Sequence, residues 1–276
     1  VQSMNIINNQ AYIVVNNSSK IEVASIDSLK YVTTIDDLVS PRYISKVSEN
    51  KAYVSDWGIN GVQVIDLITN SVVSSITCGN GPEAMAVSGD NVYVCNSGGW
   101  GLDNKVTVIN SLTDVVETEL IVGDKPKSAV VDLNGDVWVL ATGNTEYDAN
   151  WNIVGHSAGK LIKINGTTAQ IDKIFTFSDS TEHPTNLIIN ESRDILYFSN
   201  GVWSKSVFEF QINANELPTN PLINKNFYGM SCNDGYIYGT DAVDFSQEGW
   251  SYRYTSSGLI VDSVQVGIIP GGYCFN

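Results

Sequence analysis

Five of the six tryptophans in this sequence, Trp57, Trp100, Trp151, Trp203 and Trp250, stand in polar segments rich in Gly, Asn and Asp; only Trp138 lies inside a β-type run. Indoles in such company do the chemistry of binding rather than of bond making. They stack on flat or apolar partners while nearby amides and carboxylates fix the orientation. Here the polar neighbours are Asp56, Asn96, Asp103, Asn144, Tyr147, Asn150, Asn200, Asp241 and Asp244. Each Trp left in water forgoes about 2–3 kcal/mol of burial, so several gathered on one rim imply a surface that becomes covered. The plainer alternative is that the rings cap strand edges and are already buried in the free protein.

Groups able to make or break bonds are sparse. The two histidines, His156 and His183, belong to no Ser/His/Asp pattern, zinc-protease helix or Gly-rich phosphate loop. His156, alone in a long loop, reads as a solvated side chain, and no metal centre is expected. Asp241, Asp244 and Glu248 in DAVDFSQE offer calcium-type ligands without the spacing of a calcium loop. The expectation is therefore a protein that is not an enzyme and has no resident cofactor. Cys78, Cys95, Cys232 and Cys274 show no zinc-type clustering. Free buried thiols are the simple reading, although Cys232 and Cys274 hold nearly equivalent repeat positions compatible with one disulfide.

The elements that position these residues are set by a repeat. An aromatic inside an alternating run recurs in AYIVVN, AYVSDW, VYVCNS, VWVLAT, LYFSNG and IYGTDA, at Tyr12, Tyr53, Tyr93, Trp138, Tyr197 and Tyr238, with intervals of 41, 40, 45, 59 and 41 residues. A proline precedes it by 12, 11, 12 and 13 residues at Pro41, Pro82, Pro126 and Pro184, and Pro270 repeats the signal. Proline lacks a ladder donor and suits strand entry, so these residues mark unit starts. Between the landmarks a unit reads as four short strands, as in EAMAVS, NVYVCN, KVTVIN and VVETELIV, and helical periodicity is missing.

Four antiparallel strands repeated every forty-odd residues predict an all-β fold, a β-propeller of four-stranded antiparallel blades. The single propeller domain, residues 1–276, has blades near 2–38, 41–80, 82–123, 126–181, 184–224 and 227–267, and IIPGGYCFN opens a further blade at 270–276. Blade closure by strands from both chain ends then predicts seven blades, with three strands of the last expected before Val1. The alternative is a six-bladed ring with a C-terminal tail.

Connections between strands two and three of each blade should share one face with those joining strand four to the next blade. They include DWGING (56–61), NSGGWGLDNK (96–105), residues 141–160, NGVWSK (200–205) and TDAVDFSQEGW (240–250), the segments that carry the five tryptophans. Arg42, Glu83 and Lys127, just after the unit-opening prolines, are expected at the channel mouth on that face, as ligand contacts or as a salt-linked rim.

Composition sets further limits. A formal charge of −15, from 30 acidic and 15 basic residues, opposes nucleic acid and anionic lipid as partners. An apolar content of 43% excludes a disordered chain. No run approaches about 18 apolar residues, and VQSMNIINNQ lacks a secretory pattern, so any export or lipid-anchor signal is expected upstream.

The segments YVSD, YVCN and YFSN resemble the signature of YVTN-type, surface-layer-like propellers. VQSMNIINNQAYIVVNNS, SPRYISKVSENKAYVS, YGTDAVDFSQEGWSYRY and VGIIPGGYCFN are similar to the cell-surface corrinoid-binding propeller lipoproteins of Gram-negative gut commensals. The resemblance covers nearly the whole chain, though its motifs are mostly structural. It implies seven blades, completed by an N-terminal segment bearing a lipidated cysteine, and a position on the outer face of the outer membrane. It also implies capture of vitamin B12 and related corrinoids for delivery to an outer-membrane β-barrel transporter. The residues expected to bind are Trp57, Trp100, Tyr147, Trp151, Trp203, Asp241, Asp244, Trp250, Arg42, Glu83 and Lys127. The other reading is a surface-layer or adhesion-type scaffold whose aromatic rim meets a protein or glycan.

Overall fold

A computed structural model of the chain describes residues 1–202 and 204–275. They divide into two compact units: Val1–Lys127 with the turn Gly166–Gln170 and the last residues from Cys274, and Ser128–Asn165 with Ile171–Tyr273.

The first unit contains three blades. Blade one is β1 (Ser3–Ile7), β2 (Gln10–Val15), β3 (Lys20–Ser25) and β4 (Tyr31–Ile35). Blade two is β5 (Pro41–Lys46), β6 (Lys51–Asp56), β7 (Gly61–Asp66) and β8 (Ser71–Thr77). Blade three is β9 (Pro82–Ser88), β10 (Asn91–Asn96), β11 (Lys105–Asn110) and β12 (Val115–Ile121). Each is a meander in which sequential strands pair antiparallel. The second strands β6 and β10 are almost wholly buried and β2 is about half buried, since apolar residues point to both sheet faces; the fourth strands largely face water, and β12 alternates exposed and half-buried. Ile7, Val14, Ile21 and Val23 pack with Ile44, Val54 and Ile65, and Tyr53, Val62 and Val64 pack with Met85, Val92 and Val94, so neighbouring blades share their cores.

The recurring tyrosines fasten one blade to the next. Tyr12 Oη donates to Asn70 Oδ1 at 2.9 Å, Tyr53 Oη to Asp114 Oδ1, and Tyr93 Oη to the Gly166 carbonyl at 3.2 Å. Each acceptor lies in the turn between strands three and four of the following blade. A buried ring thus carries its hydroxyl to a partner that keeps it satisfied.

The second unit contains the remaining blades. Blade four is β13 (Pro126–Val131, its first two residues grouped with the first unit), β14 (Val137–Ala141), β17 (Lys160–Ile164) and β18 (Ile171–Thr176). Between β14 and β17 the long predicted loop instead forms a hairpin, β15 (Asn144–Tyr147) and β16 (Ile153–Ser157). Blade five has three strands, β19 (Thr185–Ile189), β20 (Ile195–Asn200) and β21 (Ser206–Gln211), and a single bridge, Val207 to Ile223, where a fourth was predicted. Pro218 and Pro221 remove two donors there, which prevents a full ladder. Blade six is β22 (Met230–Asn233), β23 (Tyr236–Asp241), β24 (Glu248–Thr255) and β25 (Ile260–Ile268).

The fold is therefore an all-β propeller of six blades, and the seven-bladed count is corrected. Among the described residues, the segment after β25 forms no strand. Pro270, Gly271 and Gly272 break the ladder, and Tyr273 folds back on blade six, its ring 5.4 Å from Tyr238 and its hydroxyl 2.8 Å from Ser251 Oγ. All four cysteines are free thiols, so the Cys232–Cys274 disulfide does not form. No helix among the described residues is long and apolar enough to cross a membrane.

Candidate functional site

In the first unit, Trp57 and Trp100 meet edge to face, ring centroids 5.8 Å apart at 79°. Trp57 opens the β6–β7 turn. The buried Asp56 carboxylate holds that turn by accepting from the backbone N–H groups of Val39, Ser40 and Gly58 at 2.7–2.9 Å. The Arg42 guanidinium lies 4.1 Å from the Trp57 ring centroid. It also forks onto Glu83 at 3.0 and 3.3 Å and donates to Gln2 Oε1 at 2.7 Å. Burial pushes the Glu83 carboxyl up, opposed by the charges of Arg42 and Lys127. Arg42 and Glu83 thus form a largely buried ion pair, while Lys127 is exposed. The indole Nε1 of Trp57 is buried without a hydrogen-bond partner.

Trp100 is 98% exposed, on a turn that only glycine can make. Gly98 and Gly99 both have positive φ, and a Cβ on Gly81 would sit 2.0 Å from the Gly99 nitrogen. Backbone bonds from Ser97 to Gly81 and from Gly98 to Asn80, at 2.9 and 2.8 Å, hold the two connections together. The backbone therefore presents Trp100 to solvent from a fixed support.

In the second unit, Tyr147 and Trp151 sit at the tip of the β15–β16 hairpin, centroids 6.0 Å apart and 52% and 82% exposed. Ile153 and Val154 beside them are also exposed. Trp151 adopts φ +65°, a region bulky side chains avoid. Asp148 holds it there, accepting from the Asn150 and Asn152 backbone and the Asn152 side chain at 2.7–3.0 Å; the Asn152 amide leads in drawing its carboxyl below the usual range.

Other predicted residues have different surroundings. Asp244 spends its oxygens inside its own loop, on the Ser246 and Gln247 backbone and side chains, which hold its carboxyl well below normal. Asp241 pairs with Lys225 at 2.9 Å, and this bond lowers its carboxyl. Trp250 is half-buried within β24, opposite Asp241, rather than in the loop. Trp203 lies outside the described residues. Asp241, Asp244 and Glu248 form no calcium cluster, and no three His, Cys, Asp or Glu side chains among the described residues are grouped to hold a metal.

Two features escaped the sequence reading. Tyr228 and Phe245, both exposed, pair at 5.4 Å, with Phe245 at φ +64°. His156 is not alone: its ring faces His183 across Thr145. The available signal was that His183 immediately precedes Pro184, in a connection expected on the same face as residues 141–160.

Residues 1–252 match the family described as "Domain of unknown function (DUF5074)". The chain belongs to this family. No curated protein matches this DUF5074 chain. Among solved structures, it is similar to hydrazine synthase of Kuenenia stuttgartiensis, with TM-score 0.76 and 14% identity over 99% of this chain and 88% of that one. It is also similar to a quinonprotein alcohol dehydrogenase-like protein of Bacteroides thetaiotaomicron, TM-score 0.68 and 13% identity, covering 96% of this chain and 66% of the other. The WD40 repeats of RRP9 match with TM-score 0.71 and 7% identity over 99% and 84%. At these identities the likenesses establish the propeller fold of the DUF5074 chain and nothing finer.

Proposed function

We propose that this propeller is a binding module without catalytic activity that captures a broad, flat, amide-fringed small molecule, a corrinoid such as vitamin B12. The observation that carries the reading is Trp100, fully displayed beside Trp57 on a turn whose backbone is fixed by glycines. Within the second unit, Tyr147 and Trp151 form an exposed aromatic pair of their own with amide neighbours. Stacking indoles and amide groups suit a macrocycle rimmed with amides. The resemblance adds a lipid-anchored position at the cell surface and transfer to an outer-membrane transporter.

The direct experiment is gel filtration of the protein with cyanocobalamin. Red colour co-eluting with protein supports the reading, and Trp100→Ala should then weaken binding about 30-fold, the loss expected of an aromatic anchor worth about 2 kcal/mol. Colourless protein at micromolar ligand would overturn it and favour the scaffold reading, in which the exposed Tyr147, Trp151, Ile153 and Val154 meet a macromolecule.

A further inference from the structure

We infer that His156 and His183 form a binding site for a divalent transition-metal ion of the zinc and copper class. His156 Nδ1 and His183 Nε2 point at each other 3.3 Å apart. Two imidazole nitrogens sharing one tetrahedral ion, each about 2.0–2.1 Å from it, stand about 3.3–3.4 Å apart. The spacing therefore already suits shared ligation.

The proton positions favour it too. His183 Nδ1 lies 3.1 Å from the Thr142 carbonyl, which can only accept, so Nδ1 carries the proton. His183 Nε2 is left with a lone pair directed at His156. A ring nitrogen donating to a backbone carbonyl while its opposite nitrogen keeps its lone pair is the arrangement that orients ligating histidines. Thr145 Oγ1 sits 2.9 Å from His183 Nε2 and 3.2 Å from His156 Nδ1, where its hydroxyl bridges the pair in the metal-free protein and can orient a metal-bound water.

The frame is firm. Thr145 and His156 are directly opposed across the β15–β16 ladder. His183 is fixed through its carbonyl, which accepts from Lys205 Nζ at 2.7 Å. The hydroxyl oxygen of Thr142 is buried and without a partner, and so is Oδ1 of Asn200, whose amide nitrogen donates to Glu182 Oε2 beside His183. Buried oxygens of that kind call for a donor such as an ordered water. Two imidazoles fall short of a closed structural site, so water completes the coordination and the ion exchanges readily. Imidazole ligation selects copper, nickel and zinc over magnesium and calcium.

Tag-free protein, stripped with chelator, should be titrated with ZnCl2 by calorimetry and loaded with CuCl2 for electron paramagnetic resonance. The expected results are one zinc per chain, and copper hyperfine structure from two imidazole nitrogens. His183→Gln and His156→Gln should each weaken zinc binding at least 10-fold and remove one imidazole coupling, while circular dichroism confirms that both variants stay folded. Binding that persists unchanged in both variants, or an absence of zinc binding at 100 μM, would overturn the inference. Should a variant misfold, 15N NMR of the wild-type histidines decides: zinc must shift His156 Nδ1 and His183 Nε2, and unmoved signals sink the site.

Discussion

At the scale of single residues, exposure separates two tryptophans that the sequence placed in one class. Trp100 touches little but Trp57, whereas Trp57 is half-buried under Arg42 and beside Gly99. Trp100→Ala should therefore change unfolding free energy by less than about 0.5 kcal/mol, the usual range for an exposed side chain. Trp57→Ala opens a gap beneath the guanidinium and should cost about 2 kcal/mol. Urea denaturation of both variants checks this, and a Trp100 variant as unstable as the Trp57 one would mean that Trp100 serves packing. The sequence revealed which turns carry rings, because Trp among Gly and Asn is conspicuous. It did not reveal Trp250, since β24 begins at Glu248 and its ladder extends past the expected loop. Nor did it reveal that Asp148 and Asp244 serve their own turns, a use decided by backbone geometry rather than residue type.

At the scale of elements, the tyrosine period was legible and its purpose was not. Tyr12, Tyr53 and Tyr93 announce second strands, but their hydroxyl partners lie 58, 61 and 73 residues further on, beyond any local pattern. Tyr53 is the clearest case: Asp114 accepts its hydrogen bond and also pairs with Lys51 at 2.7 Å. Burial first, and Asp114 second, push the Tyr53 phenol far above its ordinary value. Tyr53→Phe removes a hydrogen bond to a charged acceptor and should cost about 1–3 kcal/mol at pH 8. The pH dependence has a definite sign. The folded protein keeps this proton while an unfolded tyrosine releases it near pH 10, so the hydroxyl's contribution is complete below about pH 10 and is lost above it. The stability gap between wild type and Tyr53→Phe should accordingly narrow from pH 9 to pH 11 in urea titrations. A gap that widens would place the phenolate, not the phenol, in the folded state. The β15–β16 hairpin was hidden for another reason: its tip residues are polar and aromatic, and its ladder covers only a few residues in a segment rich in Asn and Gly.

At the scale of the whole molecule, the repeat gave the architecture, and the count failed where proline spacing alone was used. Pro270 repeats the unit-opening signal, yet a blade exists only if its residues find ladder partners, and Gly271 and Gly272 after it lack the side chains that hold a strand in register. Charge is the other property that belongs to the whole chain. With 30 acidic and 15 basic residues, at least fifteen carboxylates have no basic partner however the pairs are drawn, so repulsion opposes the compact state at neutral pH. Added salt acts on two opposing terms. It weakens exposed ion pairs such as Lys105–Glu119 and Arg253–Asp262, each worth about 0–1 kcal/mol. It also shortens the range of repulsion, from a Debye length of about 30 Å at 0.01 M to about 8 Å at 0.15 M, across every excess carboxylate. The excess outnumbers the exposed pairs, so the second effect should dominate. The melting temperature at pH 7 should rise by several degrees between 10 and 150 mM NaCl, followed by differential scanning calorimetry. A melting temperature that falls over that range would mean that the ion pairs, rather than the surplus of carboxylates, govern the electrostatic part of stability.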